Sequence, residues 1–280
     1  MSGRSPMDAL MRKLMDPVRL ERDNLTEPKS GETEQDHFAS TLRVGLQNAV
    51  PFPQSIAALE ERRRERERIL PPGAPDPAGG PYKMLRTQVL SKLSQLNANT
   101  LAILSPGKGE GKTLTAINLA IAVAADTRHT ALLVDLDLRN PSVARRFGFE
   151  PTAGIEDCLQ NRRPVYEAMI RISGYDRLAL LPARARVEQS SELLAGERMG
   201  ELMLELRTRY PDRILIFDLP PVLLADDALA FSQHVQAGLL VVAECGTERD
   251  GIKRSLTLLE KLTIVGSVLN RSRERADAYY

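Results

Sequence analysis

The segment Ser105-Pro-Gly-Lys-Gly-Glu-Gly-Lys-Thr113 narrows the folds open to this chain because of what flanks it. The continuous apolar run Leu101–Leu104 precedes it, and Leu114-Thr-Ala-Ile-Asn-Leu-Ala-Ile-Ala-Val-Ala-Ala125 follows with the composition of a helix. The order is strand, glycine-rich loop, helix. Gly107, Gly109 and Gly111 let the backbone turn its N–H groups onto an anion, and the helix start adds its dipole. Lys112 supplies a point charge for outer phosphates, and Thr113 offers a hydroxyl to Mg²⁺. This chemistry fits a nucleoside triphosphate. One position departs from the GxxxxGK[ST] spacing, since Pro106 stands where the first glycine usually does. A glycine-rich surface loop without a ligand is the plainer alternative, and the flanking strand and helix argue against it.

Further apolar runs repeat the rhythm at Ala131–Val134, Leu178–Leu181, Ile214–Phe217, Leu239–Ala243 and Ile264–Leu269, separated by longer amphipathic stretches. Continuous rather than alternating apolarity means that both faces of each strand are covered. The expected fold is α/β, a doubly wound, mostly parallel sheet of the P-loop NTPase kind. Residues 1–80 lack such runs and are punctuated by prolines, so they are expected to form a largely disordered, flexible arm and linker. Within it, Met7, Leu10, Met11, Leu14 and Met15 share one helical face, a candidate docking helix. Leu59–Leu70 is expected to be a solvated helix, with Glu60 and Arg64 paired one turn apart. The domain expectation is an arm over 1–80, a P-loop domain over 81–270 and a tail over 271–280.

Carboxylates stand where such sheets bind ligands, at the carboxyl ends of strands. The second run leads into Asp135-Leu-Asp137-Leu-Arg139-Asn-Pro141, and the fourth ends in Asp218-Leu-Pro-Pro221. With the period of a strand, Asp135 and Asp137 project to one side and can both face the phosphate loop. Any one of these aspartates alone could be a helix cap.

Taken in order, Ser-Pro-x-x-Gly-Glu-Gly-Lys-Thr, Asp-x-Asp-x-Arg-x-Pro and Asp-x-Pro-Pro resemble the bacterial tyrosine kinases (BY-kinases) that autophosphorylate and govern capsule and exopolysaccharide synthesis. Ala153-Gly-Ile-Glu-Asp157, Ser191-Glu-Leu-Leu194 and Val268-Leu-Asn-Arg271 extend the resemblance over roughly residues 80 to 280. Six tyrosines occur in the chain, and Tyr279 and Tyr280 are its last two residues, resembling the tyrosine cluster that these kinases phosphorylate in trans. The resemblance implies ATP and Mg²⁺ as cofactors, held by Gly107, Lys108, Gly109, Glu110, Gly111, Lys112, Thr113 and Asn270. It implies catalytic roles for Lys112, Asp135, Asp137 and Asp218, metal binding by Thr113, Asp137 and Asp218, and phosphoacceptors at Tyr279 and Tyr280. Which of Asp135 and Asp137 takes the hydroxyl proton stays open. The implied partners are a separate transmembrane activator or polysaccharide co-polymerase, and further copies of the chain. The family's Glu-x-x-Arg-x-x-Arg helix, used for ring-like self-association, is represented by Gly80, Lys83 and Arg86, and Leu219 replaces a small hydroxyl residue.

Composition removes other classes. With 38 basic and 37 acidic residues the formal charge is +1, so no bulk attraction to nucleic acid is implied. Cys158 and Cys245 stand far apart, and His37, His129 and His234 form no ligand cluster, which disfavours disulfide scaffolds and zinc sites. No run is long enough to span a bilayer, so a cytoplasmic protein recruited peripherally to the membrane is expected. A positioning-type ATPase of cell division or plasmid partition is the main rival. Such ATPases place lysine at the second residue of the loop, here Gly107. A non-catalytic nucleotide-binding adaptor of an export complex is the other rival, and turnover of ATP separates it from the kinase.

Overall fold

Strands covered on both faces must alternate their side chains between two cores, and the apolar runs do so except Ile264–Leu269, which forms a partly exposed strand at the sheet edge, where no further strand among the described residues covers it. The computed structural model describes residues 54–56, 59–73, 79–160, 162–209 and 212–272. The six apolar runs form β2 (Thr100–Leu104), β3 (Thr130–Asp135), β5 (Leu178–Leu181), β6 (Arg213–Asp218), β7 (Ala237–Ala243) and β8 (Ile264–Asn270). Leu101, Ile103, Leu133, Ile214 and Ile216 enter one core, while Ala102, Leu104, Leu132, Leu215 and Phe217 enter the other. This is the period of two expected of extended chain. The first core takes α3 (Lys112–Ala124) and α2 (Gly79–Gln95), and the second takes α7 (Ser190–Ala195), α8 (Glu197–Arg209) and α9 (Asp227–Phe231).

Two short strands escape the reading of apolar runs. β1 (Gln54–Ile56) and β4 (Ile170–Ile172) have three residues each, too few to show a pattern. The sheet order is β1-β4-β5-β3-β6-β2-β7-β8. The pairing is parallel throughout except between β4 and β5, so β1 and β4 run against the other six strands. From β2 the chain first moves to β3, then returns through β6 and continues on the opposite side to β7. The loop after β2 therefore opens at the switch point, where the crevice of a doubly wound sheet lies. At that edge Asp135 and Asp218 are register partners on adjacent strands.

Residues 59–73 contain the expected solvated helix, which buries no residue, but correct its length and the linker expected from Leu70. Helix α1 is shorter, Glu61–Arg66, and Ile69 and Leu70 behind it are buried. Arg64 pairs with Glu61 rather than Glu60. Asn118 of α3 clamps the segment. Its Oδ1 accepts from Leu70 N at 2.9 Å, and its Nδ2 donates to Arg68 O at 2.9 Å. Tyr175 donates its hydroxyl to Leu70 O at 2.8 Å, and burial pushes its pKa up to about 12. On the outer side, Arg63 donates to Arg145 O of α4 (Val143–Phe147), and Glu67 pairs with Arg146. Burying Ile69 and Leu70 contributes on the order of 2 kcal/mol each, enough to hold a segment whose charged helix has little affinity for itself. Helix α2 begins at Gly79, inside the stretch read as linker, and its Arg86 donates to Ala122 O near the end of α3. The candidate docking helix around Met7–Met15 lies outside the described residues.

Asn118→Leu keeps the branching of the side chain and removes both hydrogen bonds, leaving Leu70 N–H and Arg68 C=O without them. A loss of about 2 kcal/mol in urea unfolding is expected, together with faster proteolysis within residues 59–73.

Candidate active site

Helix α3 begins at Lys112, directly after Gly111, whose φ of +94° belongs to the left-handed region. Glycine is required there twice over. A side chain is strained at that φ, and a Cβ would collide with the Asn270 amide. The loop is braced from within by Glu110, which is buried. Its Oε2 accepts from Gly107 N at 3.0 Å, and its Oε1 accepts from the Thr247 hydroxyl at 2.6 Å. Thr247 Oγ1 in turn accepts from Ala243 N at 2.8 Å, which anchors the loop to the end of β7. Asn270, the last residue of β8, donates from Nδ2 to Glu110 O at 2.8 Å. Pro106 costs the loop nothing visible: its carbonyl and that of Ser105 accept from Leu223 and Val222.

The ammonium of Lys112 is buried and ion-paired to Asp218 Oδ1, with Asp137 Oδ2 at 4.0 Å. This gathers the three sequence motifs into one place. The two aspartates of the second motif part company, however. Strand β3 ends at Asp135, so Asp137 reaches the cleft from the loop rather than by strand alternation. Asp135 is fully buried. Its Oδ2 accepts from Ser142 N at 2.9 Å and Val143 N at 3.0 Å, capping α4, and its Oδ1 accepts from Asp137 N at 3.2 Å. Asp137 accepts from Asn140 N at 3.1 Å and lines the cleft.

Burial pushes Asp135 up to about 7, and the facing Asp218 carboxylate adds to the rise; the N–H groups of Val143 and Ser142 and the Lys112 ammonium oppose it. Burial also raises Asp137, with Lys112 pulling against it. One ammonium thus faces three carboxylates, and Asp218 Oδ2 is buried without a hydrogen-bond partner. A divalent cation fits that charge balance. Among the described residues no group of three or more His, Cys, Asp or Glu side chains could hold a metal ion alone. Mg²⁺ is commonly held by one or two protein oxygens together with substrate phosphates. Thr113, in the first turn of α3, is placed to add its hydroxyl.

The cleft over these groups encloses about 520 Å³, the size of a small-molecule site. Gly107, Lys108, Gly109, Glu110, Gly111, Lys112 and Thr113 line it, and Asn270 closes one end. Arg139 also lines it, held by Asp227 Oδ2 at 2.8 Å and Asp226 Oδ1 at 2.9 Å. Sequence reasoning passed over Arg139, Asp227 and Thr247 as site residues, because partners more than eighty positions apart leave no periodic trace. Tyr279 and Tyr280 lie outside the described residues.

Gly111→Ala is expected to abolish nucleotide binding with the fold retained, as checked by calorimetry and circular dichroism. The raised pKa of Asp135 gives a second test. An unfolded aspartate releases its proton near 3.8, whereas the folded protein holds it to about 7. The stabilisation is therefore complete below about pH 4 and is lost as the pH rises through about 7. Metal-free protein should unfold at lower urea at pH 8 than at pH 6, and Asp135→Asn should flatten that difference.

A family model described as ParA, NUBPL iron-transfer P-loop NTPase, matches residues 97–275, more than half of the chain. The tyrosine-protein kinase YwqD of Bacillus subtilis is 29% identical over 191 residues, 68% of this chain and 79% of that protein. The tyrosine-protein kinase wzc of Salmonella typhi is 30% identical over 223 residues, 78% of this chain but 30% of that protein. The chain thus spans under a third of that longer relative. The crystal structure of the VpsO kinase domain superimposes with a TM-score of 0.60 at 28% identity, covering 68% of this chain and 94% of that domain. By its matched family model, its phosphate loop and its strand order, the chain belongs to the ParA family of P-loop NTPases, and within that fold its kinship is with the bacterial tyrosine kinases.

Proposed function

We propose that this chain is an ATP- and Mg²⁺-dependent protein-tyrosine kinase that phosphorylates its own carboxyl-terminal tyrosines, Tyr279 and Tyr280, and regulates synthesis and export of an exopolysaccharide or capsular polysaccharide. The observation that carries the reading is the buried Lys112 ammonium between Asp218 and Asp137, which joins all three motifs that the tyrosine kinases share.

The phosphate loop and Lys112 bind and orient the nucleotide phosphates, with Thr113 and Asp218 on the side of the metal. Bound Mg²⁺ supplies charge neutralisation to the transferred phosphoryl group. A tyrosine hydroxyl, with a reference pKa near 10, needs a carboxylate to take its proton as attack proceeds. Asp137 suits that task, since it lines the cleft and has a raised affinity for protons. Asp135 has both oxygens committed to backbone N–H groups and acts as a positioning residue for the loop that carries Asp137. The new bond joins the tyrosine oxygen to the γ-phosphorus, the bond from γ-phosphorus to the bridging oxygen breaks, and ADP leaves. Catalysis of this kind is mostly positioning and electrostatics.

From Asn270 to Tyr279 the tail can extend about 30 Å, which allows delivery to a neighbouring copy. Among the described residues no helix is long and apolar enough to cross a membrane. A separate transmembrane activator and recruitment to the inner face of the membrane complete the proposal.

The purified chain is incubated with ATP and Mg²⁺, with and without source membranes, and the terminal peptide is weighed by mass spectrometry. Phosphate on Tyr279 or Tyr280 is expected, absent in Lys112→Ala and in the Tyr279→Phe/Tyr280→Phe double variant. Asp137→Asn should slow the transfer by at least about 100-fold. ATP hydrolysis with unmodified tyrosines, membranes included, would replace the kinase with a positioning-type ATPase.

A further inference from the structure

One wall of the cleft comes from outside the phosphate-loop motifs. Arg68, from the segment clamped by Asn118, lines the cleft with an exposed guanidinium that forms no hydrogen bond or ion pair with a described residue. Its neighbour Glu67 is committed to Arg146, so the nearest carboxylate on its own segment is taken. The backbone of Arg68 stands at φ +56°, a conformation that L side chains rarely adopt. It is fixed there from both sides, by Ile69 N donating to Arg64 O, by Asn118 on Arg68 O and Leu70 N, and by Tyr175 on Leu70 O. That φ, with Arg68 N donating to Glu65 O and Ile69 N to Arg64 O, is how α1 ends, and it leaves the long cation of Arg68 on the wall of the cleft beside the anion cradle.

The sheet order says which part of the ligand. The phosphate loop follows β2, with β3 on one side and β8 on the other. Lys112 leans toward the β3 side, to Asp218 and Asp137, whereas Asn270 and Arg271 close the β8 end. Arg68 belongs to the β3 side, because its segment is tied to α4, which directly follows the Asp137 loop. Resting on the nucleotide reading above, we infer that Arg68 is a ligand of the terminal phosphate of a bound nucleoside triphosphate, delivered in cis by the segment that precedes the phosphate-loop domain. A guanidinium can grip phosphate with two parallel hydrogen bonds, so the contact separates triphosphate from diphosphate. Residues 59–73 then become more tightly held when triphosphate is bound, and whatever pulls on the preceding chain reaches the nucleotide through them.

Arg68→Gly removes the guanidinium while suiting the positive φ, so the segment keeps its shape, and Arg68→Lys keeps the charge without the fork. Calorimetry with a non-hydrolysable ATP analogue and with ADP, both with Mg²⁺, is paired with hydrogen exchange over residues 59–73. Arg68→Gly should bind the triphosphate about tenfold more weakly and ADP within about twofold of wild type, with Arg68→Lys between. The analogue should slow exchange at 59–73 in wild type and less so in Arg68→Gly. Equal triphosphate affinity in Arg68→Gly and wild type overturns the inference, as does an equal loss for both nucleotides. A wild type that binds no triphosphate overturns the nucleotide reading itself and the inference with it. Wild-type binding that is lost in Lys112→Ala but kept in Arg68→Gly overturns the inference alone.

Discussion

The burial of one ammonium organises this molecule. Lys112 Nζ lies out of solvent against Asp218 and near Asp137, whose carboxylates offset the desolvation of its charge. Asp218 is itself fully buried and faces Asp135, whose proton is held by burial first and by the Asp218 carboxylate second. Lys112, between the strands and the loop, and the proton that Asp135 retains both ease the register that sets Asp135 opposite Asp218. The remaining negative charge is what a divalent cation and its phosphates are suited to complete. Stability and ligand affinity are drawn from one charge cluster.

The frame around that cluster is built from backbone satisfaction. Asp135 spends its carboxylate on the first N–H groups of α4, and Glu110 spends its own on Gly107 and Thr247. Each fixes a loop that would otherwise pay conformational entropy on every binding event. Asn270 adds a third tie, from the end of β8 to Glu110 O, beside Gly111, where a Cβ would collide with its amide. The phosphate loop is therefore pinned from β7 and β8 while its lysine is held from β6. Such a loop is prepared for an anion before one arrives.

What the sequence made legible follows from the range of the physics involved. Five buried strands announce themselves because four or five consecutive residues are all apolar, whereas the run of β8 is broken by Gly266 and Ser267 and is only partly buried at the sheet edge; the phosphate loop announces itself because three glycines fall within five positions. The three-residue β1 and β4 carry no such statistics. Residues 59–73 misled because charge and proline dominate their composition, while their docking rests on Ile69, Leu70 and two polar side chains, Asn118 and Tyr175, about 50 and 105 positions away. Alternation likewise failed at Asp137. A strand's period applies only while the strand lasts, and the cap that Asp135 makes on α4 ends it.

That cap also settles how two aspartates two residues apart acquire different chemistry. Asp135 turns inward to three N–H donors, whereas Asp137 lines the cleft. The same three bonds fix the path of residues 135–143, and hence the place of Asp137 in the cleft and of Arg145 and Arg146 beside α1. The segment that carries Arg68 docks on that same α4. One buried carboxylate accordingly positions both the residue that faces Lys112 and the surface on which residues 63–67 rest.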